Sequence, residues 1–427
     1  MALRRREFLG AGPLLALAAC AHERPIIERP MTLVPSERIA RIFAGWEGIN
    51  GHRTGSPDDN TTAQWLASEI RALGAEPVLK PFPFRRRIVN EASIVVAGKS
   101  AYGLPAFDGP GTPAGGVEGK LGALGLNAPI ALCVVPPDLG PGQGAALTAA
   151  REGHLHDAII AITDGTRVKP GLAPFNADNY RNPFGPPVLQ LDSATDPWLS
   201  EAARSGAHAR IVIDDSWEMT TATNVEVVLH GTDPDSAPLV IMTPRSGWWG
   251  CASERGGGIA VWLEMLRRLR TAPTRRTILF TANTGHELGH YGLQVFLEQN
   301  PQLAKNAFAW LHLGANFAAA QGMQVRLQTS SAKLQSLVSK TMTRFEVAPD
   351  IQTQPGAPPA GEARNIYDSG GQFVSLLGAN HLFHHPDDRW PDAVDLSRTT
   401  RIASAFAELA TTFAGISAIP LADSLGE

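Results

Sequence analysis

An excess of basic residues and a long apolar run are both missing from this 427-residue chain. It has 37 Lys and Arg residues against 41 Asp and Glu, a formal net charge of −4. Because nucleic-acid binding requires clustered Lys and Arg, this charge pattern predicts no nucleic-acid partner. After the N-terminal segment no run stays apolar for about 20 residues, the length that a membrane-spanning helix needs. The sequence also shows no internal repeats or extended low-complexity stretch.

Cysteine is scarce as well, with three in the whole chain. Cys20 closes the N-terminal segment, which leaves Cys133 and Cys251. An oxidising compartment would permit a bridge between these two, but they fall in different predicted domains. We therefore expect both thiols to be free and buried.

An apolar content of 44% is that of an ordinary globular protein. The length exceeds the usual size of a single core, so two domains are expected. The 42 glycines and 33 prolines predict many turns and loops.

The first 20 residues have the pattern of an export signal. A twin-arginine-like basic stretch, Arg4–Arg6, precedes a short apolar core. The segment ends at Leu17-Ala18-Ala19-Cys20, which resembles a bacterial lipoprotein processing box. We predict a signal peptide over 1–20, lipidation of Cys20 and a tether over 21–35. The protein is thus expected to be an exported lipoprotein on the periplasmic side of a membrane, and a simple secretory signal is the alternative.

The rest of the chain divides into three parts by its texture. Residues 36–90 carry two segments with helical spacing and polar N-cap residues, Ser36–Gly48 and Thr61–Leu73. In residues 91–220 short β-rich runs are separated by Gly/Pro loops, which predicts a β-rich inserted domain. In residues 221–420 strands alternate with helices. The predicted fold class is therefore α/β, a mixed sheet flanked by helices and interrupted by the insert.

A literal HExxH motif lies at His286-Glu287-Leu288-Gly289-His290. In a zincin both histidines lie one turn apart on a helix and bind one zinc ion, with the glutamate as base. Here Thr277–Thr281 is β-branched and apolar, which predicts a buried strand, and three nearby glycines disfavour a helix. We therefore predict a strand followed by a turn, and a continuous helix through His286 and His290 would contradict this.

With their neighbours, these residues resemble peptidase family M28, which includes zinc aminopeptidases, glutamate carboxypeptidases and transferrin-receptor-like proteins. The similarity runs from about residue 36 to 415. It implies a zinc-exopeptidase-like fold with a protease-associated domain as the insert. The segments that carry it are Ala150–Gly153, Ala158–Ile160, Pro186–Leu191, Thr223–Val225 and His230–Pro234.

In that family five side chains hold two zinc ions, and a glutamate just before one ligand is the general base. The ligand positions fall here at Pro244, Glu254, Glu287, His312 and His384, and the base position falls at His286. Proline cannot ligate through its side chain, so a second zinc ion is not expected. Glu254 is one methylene longer than the family's bridging aspartate, and His312 stands where the family has an acid.

The resemblance therefore implies a hydrolase of amide or peptide bonds with a remodelled site for a single zinc ion. Its ligands would be Glu254, Glu287, His312 and His384. Such a metal lowers the pKa of its water and polarises the carbonyl. His286 would take the proton, because an imidazole titrates near neutral pH.

Several neighbouring residues have two interpretations each. His290 either faces solvent or substitutes for the missing first histidine. Trp248 either lines a substrate pocket or packs against the insert, and Arg245 is a further candidate beside it. Glu254 either ligates metal or forms an ion pair with the adjacent arginine. Glu362 is expected to be an exposed loop acid.

Two rival functions stay open beside the zinc hydrolase. One is a non-catalytic binding protein on the same fold, as in transferrin-receptor-like and nicastrin-like members. The other is a metal-free hydrolase that uses His286 and nearby carboxylates. If the four predicted ligands do not converge within about 5 Å of one point, the binding protein is favoured. A peptide or small amide is the expected substrate, and the oligomeric state is left open.

Overall fold

The computed structural model describes residues 33–139, 142–322 and 324–419. The predicted signal peptide, Cys20 and most of the tether lie outside the described residues. In the part of the chain that is described, no helix is long and apolar enough to cross a membrane.

The described strands and helices alternate over most of the chain. In chain order the strands are β1 (Val78–Val96), β2 (Lys99–Tyr102), β3 (Leu104–Pro105), β4 (Val117–Ala123), β5 (Ile130–Val135), β6 (Ala158–Thr163), β7 (Val188–Leu191), β8 (His208–Leu229), β9 (Leu239–Pro244), β10 (Ile278–Asn283), β11 (Ala309–Leu313), β12 (Val325–Thr329), β13 (Ile351–Gln352) and β14 (Phe373–Gly378). The helices are α1 (Pro35–Glu47), α2 (Pro57–Ala72), α3 (Gln143–Glu152), α4 (Asp196–Arg204), α5 (Gly257–Leu269), α6 (Tyr291–Gln299), α7 (Leu303–Asn306), α8 (Ala332–Arg344), α9 (Ala363–Asp368) and α10 (Leu396–Gly415).

The main sheet is mixed, as predicted. The strand order is β13-β12-β14-β11-β9-β10-β8. The four central strands, β14, β11, β9 and β10, are parallel to one another. Alternate residues of β9 point to opposite faces, Leu239 and Ile241 to one core and Val240 and Met242 to the other. The first core is closed by α1, α5, α8 and α10, and the second by α6 and α9. Helices thus cover both faces of the sheet.

Two long strands join the main sheet to the insert. β1 and β8 pair antiparallel from Val78↔Glu226 to Val96↔Ala209, with one register shift after Val89. β8 also pairs with β10 of the main sheet and with β4 of the insert. The boundaries predicted at 90/91 and 220/221 therefore fall inside continuous strands.

The insert is built around four parallel-paired strands, β4-β5-β6-β7. Residues of β6 alternate between two small cores, one shared with α3 and the other with α4. Cys133 lies in one of these cores, and Cys251 lies in the main core. Both thiols are free and buried, as predicted.

The start of α2 is set by its capping residue. α2 begins at Pro57, four residues before the predicted start, because Ser56 Oγ accepts a hydrogen bond from Asp59 N. Proline at the first helical position is favoured because its missing N–H would have no partner there. The parallel strands end at one edge of the sheet, where ligand sites of open α/β sheets form. That edge carries the candidate site.

Candidate active site

The turn after β10 shows that the HExxH motif is not a zincin helix. His286–Leu288 form a single 3-10 turn between Gly285 and Gly289, which have φ of 91° and 70°. His290 is also left-handed, and α6 begins only at Tyr291. A Cβ on Gly285 would lie 2.7 Å from Tyr291 Cβ, so the turn requires glycine. The two histidines do not share a helix, and the zincin interpretation is wrong.

Glu287 is held in place by neutral donors. Thr54 N donates to its Oε1 at 2.8 Å, and Ser246 Oγ donates to its Oε2 at 2.7 Å. Ser246 Oγ in turn accepts hydrogen bonds from Gly285 N and His286 N. The insert also contributes, because Ala177 N donates to the Glu287 backbone carbonyl at 2.8 Å. Both carboxylate oxygens of this predicted ligand therefore already have partners.

Glu362 lies between two of the predicted site histidines. Its Oε1 is 3.4 Å from His286 Nδ1, and its Oε2 is 3.8 Å from His312 Nε2. The second ring is fixed from behind, where His312 Nδ1 lies 2.8 Å from Ser375 Oγ. Glu362 is fully buried, so its prediction as an exposed acid is wrong. One sequence signal could have predicted this burial. Glu362 lies four residues before the apolar Ile366, a spacing that places both residues on the same face of helix α9.

Burial sets the protonation of this group of side chains. It raises the pKa of Glu362 to about 8, and the opposing charge of Arg255 does not offset it. Burial likewise lowers the pKa of His312 to about 3 and that of His286 well below its ordinary value. At neutral pH the two imidazoles are therefore neutral and Glu362 mostly carries its proton.

Glu254 pairs with a cation and with the last predicted ligand. It lies in a π-helical turn, Ala252–Gly256, and its Oε1 is 2.7 Å from Arg255 Nη2 and 3.4 Å from His384 Nε2. Burial alone would raise the pKa of Glu254, but the Arg255 and His384 charges outweigh it and hold the pKa at about 2. His384 Nδ1 lies 2.6 Å from the Pro174 carbonyl of the insert. The ion pair foreseen between Glu254 and Arg255 is present.

The turn that carries Glu254 is positioned by Asp388. Its carboxylate accepts hydrogen bonds from the backbone N–H groups of Ser253 and Glu254 at 2.9 and 3.0 Å. Burial raises the pKa of Asp388 to about 7. Asp388 belongs to the same loop as His384, so this loop supports both partners of the pair.

The four predicted metal ligands surround one buried region but form separate pairs. Glu254 faces His384, His312 faces Glu362, and Glu287 is bonded to Thr54 and Ser246. Over the described ranges no group of three or more His, Cys, Asp or Glu side chains could hold a metal ion. The role of these four residues as zinc ligands stays a prediction.

The three additional candidates have mainly structural contacts. His290 is half-buried in the loop before α6; its Nδ1 lies 2.8 Å from Asn365 Oδ1, and burial lowers its pKa to about 4. Trp248 packs on Phe107, 5.0 Å between ring centroids, which is the predicted alternative of packing against the insert. Arg245 is fully buried and bonds Asp59 Oδ1 at 2.7 Å.

An open groove borders α6, and none of the candidate site residues lines it. Its volume is about 660 Å³, and its walls include Phe82, Tyr180, Trp217 and Tyr291. Tyr291 directly follows His290, whose ring centroid is 5.0 Å from that of His286. The groove thus provides an aromatic surface one residue away from the histidine turn.

Comparison with known proteins agrees with this architecture. Residues 220–410 match the model of Peptidase family M28. No curated protein matches the sequence.

Solved structures with the same fold include aminopeptidases. The fold is similar to an aminopeptidase from Aneurinibacillus sp. strain AM-1, with a TM-score of 0.69 and 13% identity over 90% of this chain and 95% of that chain. It is similar to BSAP, a zinc aminopeptidase from Bacillus subtilis, with a TM-score of 0.68 and 16% identity over 90% and 97% of the two chains. It is also similar to a peptidase M28 precursor from Shewanella amazonensis SB2B, with a TM-score of 0.69 and 15% identity over 91% of this chain and 97% of that chain. At these identities the likeness shows the fold, and it confirms the predicted α/β class.

Proposed function

We propose that the protein hydrolyses an amide or peptide bond at the site around His286, because residues 220–410 match the model of Peptidase family M28. The observation that carries this proposal is the contact of His286 with Glu362. His286 stands at the family's base position and faces a buried acid across 3.4 Å. It keeps 7% of its surface exposed, whereas Glu362 and His312 have none, so His286 is the ring that a substrate reaches.

Hydrolysis of an amide needs a group that takes a proton from water and a group that gives one to the leaving amine. His286 is neutral at physiological pH because burial lowers its pKa, so it is free to accept a proton. Glu362, with a pKa of about 8, still carries a proton there and is able to donate. Two adjacent groups whose environments push their pKa values apart have the properties of an acid–base pair.

Zinc is suggested by the family and by the relative named a zinc aminopeptidase. The donors as they are placed do not fit the ion. Within the described residues no three His, Cys, Asp or Glu side chains come together as a metal would need, Glu254 is paired with a guanidinium, and Pro244 offers no donor. The proposal therefore derives no step from a metal, and the single-zinc site stays a prediction for metal analysis.

The substrate class that we propose is a peptide or small amide. The groove of about 660 Å³ beside the histidine turn is large enough for several side chains and is lined by aromatic rings. We further propose export and lipid anchoring through Cys20, which places the substrates in the cell envelope.

The proposal is tested with purified protein and a panel of aminoacyl amides and peptides with free or blocked ends. His286→Ala should lower turnover by roughly 10²–10⁴, the usual scale of acid–base assistance. The matched control is His208→Ala, which removes an exposed histidine on the insert side of β8. Parent-level activity of His286→Ala on a confirmed substrate would contradict the assigned role.

A non-catalytic binding protein is the second candidate. It is favoured by one observation, the separation of the four predicted ligands into different pairs. Folded parent protein that hydrolyses nothing in the panel, yet binds some of its members in the groove, would support this candidate over the hydrolase.

A further inference from the structure

Arg255 is the cation that pairs with Glu254 in the candidate site. It is fully buried and is anchored by its Nε, which donates to the Ser246 carbonyl at 3.0 Å. Its Nη2 is 2.7 Å from Glu254 Oε1. Its Nη1 is buried and has no hydrogen-bond partner, so this end of the guanidinium is able to bind a further acceptor.

Buried polar atoms without hydrogen-bond partners are concentrated in this region. Over the described part of the chain, four such atoms of the site residues lie outside the Glu254–Arg255 ion pair: Arg255 Nη1, His312 Nε2, Glu362 Oε2 and His384 Nε2. Unpartnered buried polar groups are uncommon in native proteins, because each one loses its hydration without a replacement. Their concentration is typical of a site that receives a polar group of a ligand.

We propose that the Arg255 guanidinium replaces the metal cation in this site, both as the partner of Glu254 and as the donor to the substrate's carbonyl oxygen. The second half of this proposal rests on the proposed hydrolase function, and the first half does not. A guanidinium supplies a permanent positive charge and N–H donors in a fixed plane. Both properties suit the oxygen of an amide carbonyl, which becomes negative during hydrolysis.

A divalent cation is disfavoured at the same place for a direct electrostatic reason. The carboxylate at the family's bridging position is already neutralised by Arg255. A like charge a few ångströms from a metal ion repels it strongly at the effective dielectric constants of protein interiors. The charge of Arg255 and the lack of a side-chain donor at Pro244 thus both disfavour a bound metal ion.

The reaction balances without a co-reactant. Water adds to the carbonyl carbon as its proton passes to His286, and the carbonyl π-electron pair moves onto oxygen, where the Arg255 N–H groups bind it. The electron pair then returns, the C–N bond breaks, and Glu362 gives its proton to the leaving nitrogen. His286 returns its extra proton to Glu362 across the Nδ1–Oε1 contact of 3.4 Å. The products are a carboxylic acid and an amine.

Zinc titration of the purified protein tests the first half. The parent, stripped with a chelator, should take up less than stoichiometric zinc. Arg255→Met should bind zinc at least about 100-fold more tightly than the parent, because the repelling charge is gone. The control is Arg364→Met, which removes an exposed charge that lies two residues from Glu362 and pairs with Asp368. Tight stoichiometric binding by the parent, or no gain in Arg255→Met, would overturn the replacement.

Kinetics test the second half. The parent's activity should survive chelation, and Arg255→Met should lower kcat by about 10²–10³ with a smaller change in KM, the loss expected for one oxyanion donor. Arg255→Lys should recover part of that loss, because it keeps the charge and loses the planar fork. Chelator-sensitive activity would refute the role of Arg255 and leave the hydrolase intact. If no substrate is hydrolysed, the hydrolase fails and the zinc titration still decides the replacement.

Folding of the variants needs its own control. Removing one partner of a buried ion pair is destabilising, since the other charge stays buried. The double variant Glu254→Gln with Arg255→Met removes both charges and should fold more stably than Arg255→Met. The parent titration requires no variant, so a misfolded Arg255→Met still leaves a result that is able to overturn the proposal.

Discussion

Replacing Glu362 with glutamine should protect the fold against alkaline pH. Burial raises the pKa of this carboxyl from 4.5 to about 8, with the Arg255 charge opposing the change. Below pH 4.5 the carboxyl group is protonated in both the folded and the unfolded state, so its titration does not change the free energy of unfolding. Between 4.5 and about 8 the folded state holds a proton that the unfolded state has released, so stability falls as pH rises. Above about 8 the loss is complete.

The size of this loss follows from the gap in proton affinity. Each unit of difference between the folded-state and unfolded-state pKa of Glu362 corresponds to about 1.4 kcal/mol of unfolding free energy. The full loss of stability at high pH therefore has an upper bound of roughly 4 to 5 kcal/mol. Glutamine has nearly the same shape and retains an oxygen and a nitrogen towards His286 and His312. It has no proton to lose in this range, so its contribution should not depend on pH.

Urea unfolding of the parent and of Glu362→Gln at intervals from about pH 5 to pH 9 measures the effect. The variant should gain at least about 2 kcal/mol relative to the parent across that range. Asp388, whose pKa is also raised, acts in both proteins and cancels in the difference. Glu201→Gln, a change at an exposed pair with Arg204, should give a constant offset. Parallel curves for parent and Glu362→Gln would refute the protonated state of Glu362 and its role as proton donor.

Two further predictions concern the support of the site and its location. Ser246→Ala removes the donor to Glu287 and the acceptor for two N–H groups, and should cost about 1–3 kcal/mol of unfolding free energy in urea. Thr61→Ala, at an exposed hydroxyl of α2, is the control and should change stability little. Cys20→Ala should move the protein from the membrane fraction to the soluble fraction, because the lipid anchor is lost. Retention of Cys20→Ala in the membrane fraction would refute lipidation.

Local features of the sequence determined much of the fold. The β-branched run before Gly285 predicts a strand, and the glycines on both sides of His286 predict a turn because a left-handed backbone favours glycine. Alternation of strands and helices after residue 221 predicts the covered mixed sheet. These properties depend on neighbouring residues, so one sequence is sufficient to reveal them. The family resemblance likewise follows from the order of motifs along the chain, and the match over 220–410 agrees with it.

The full length of β1 and β8 could not be predicted from the sequence. β1 contains Pro81 and Pro83, which weaken a strand prediction because proline lacks a backbone donor. Only pairing with β8 shows that the strand continues through both parts of the molecule. The pairing partner is more than a hundred residues away, so the local pattern does not contain it.

The chemistry of the site was decided by tertiary structure. The sequence by itself predicted site roles for His286, Glu287 and His384 from the family resemblance, and it determined that the side chain of Pro244 cannot ligate a metal. It did not determine that Glu362 is buried against His286, 76 residues away, or that Arg255 neutralises Glu254 in the interior. Burial and charge pairing arise when distant segments pack together, and they set the protonation of each group. Whether an ionisable residue binds metal, moves a proton or forms an ion pair therefore depends on contacts that only the folded chain creates.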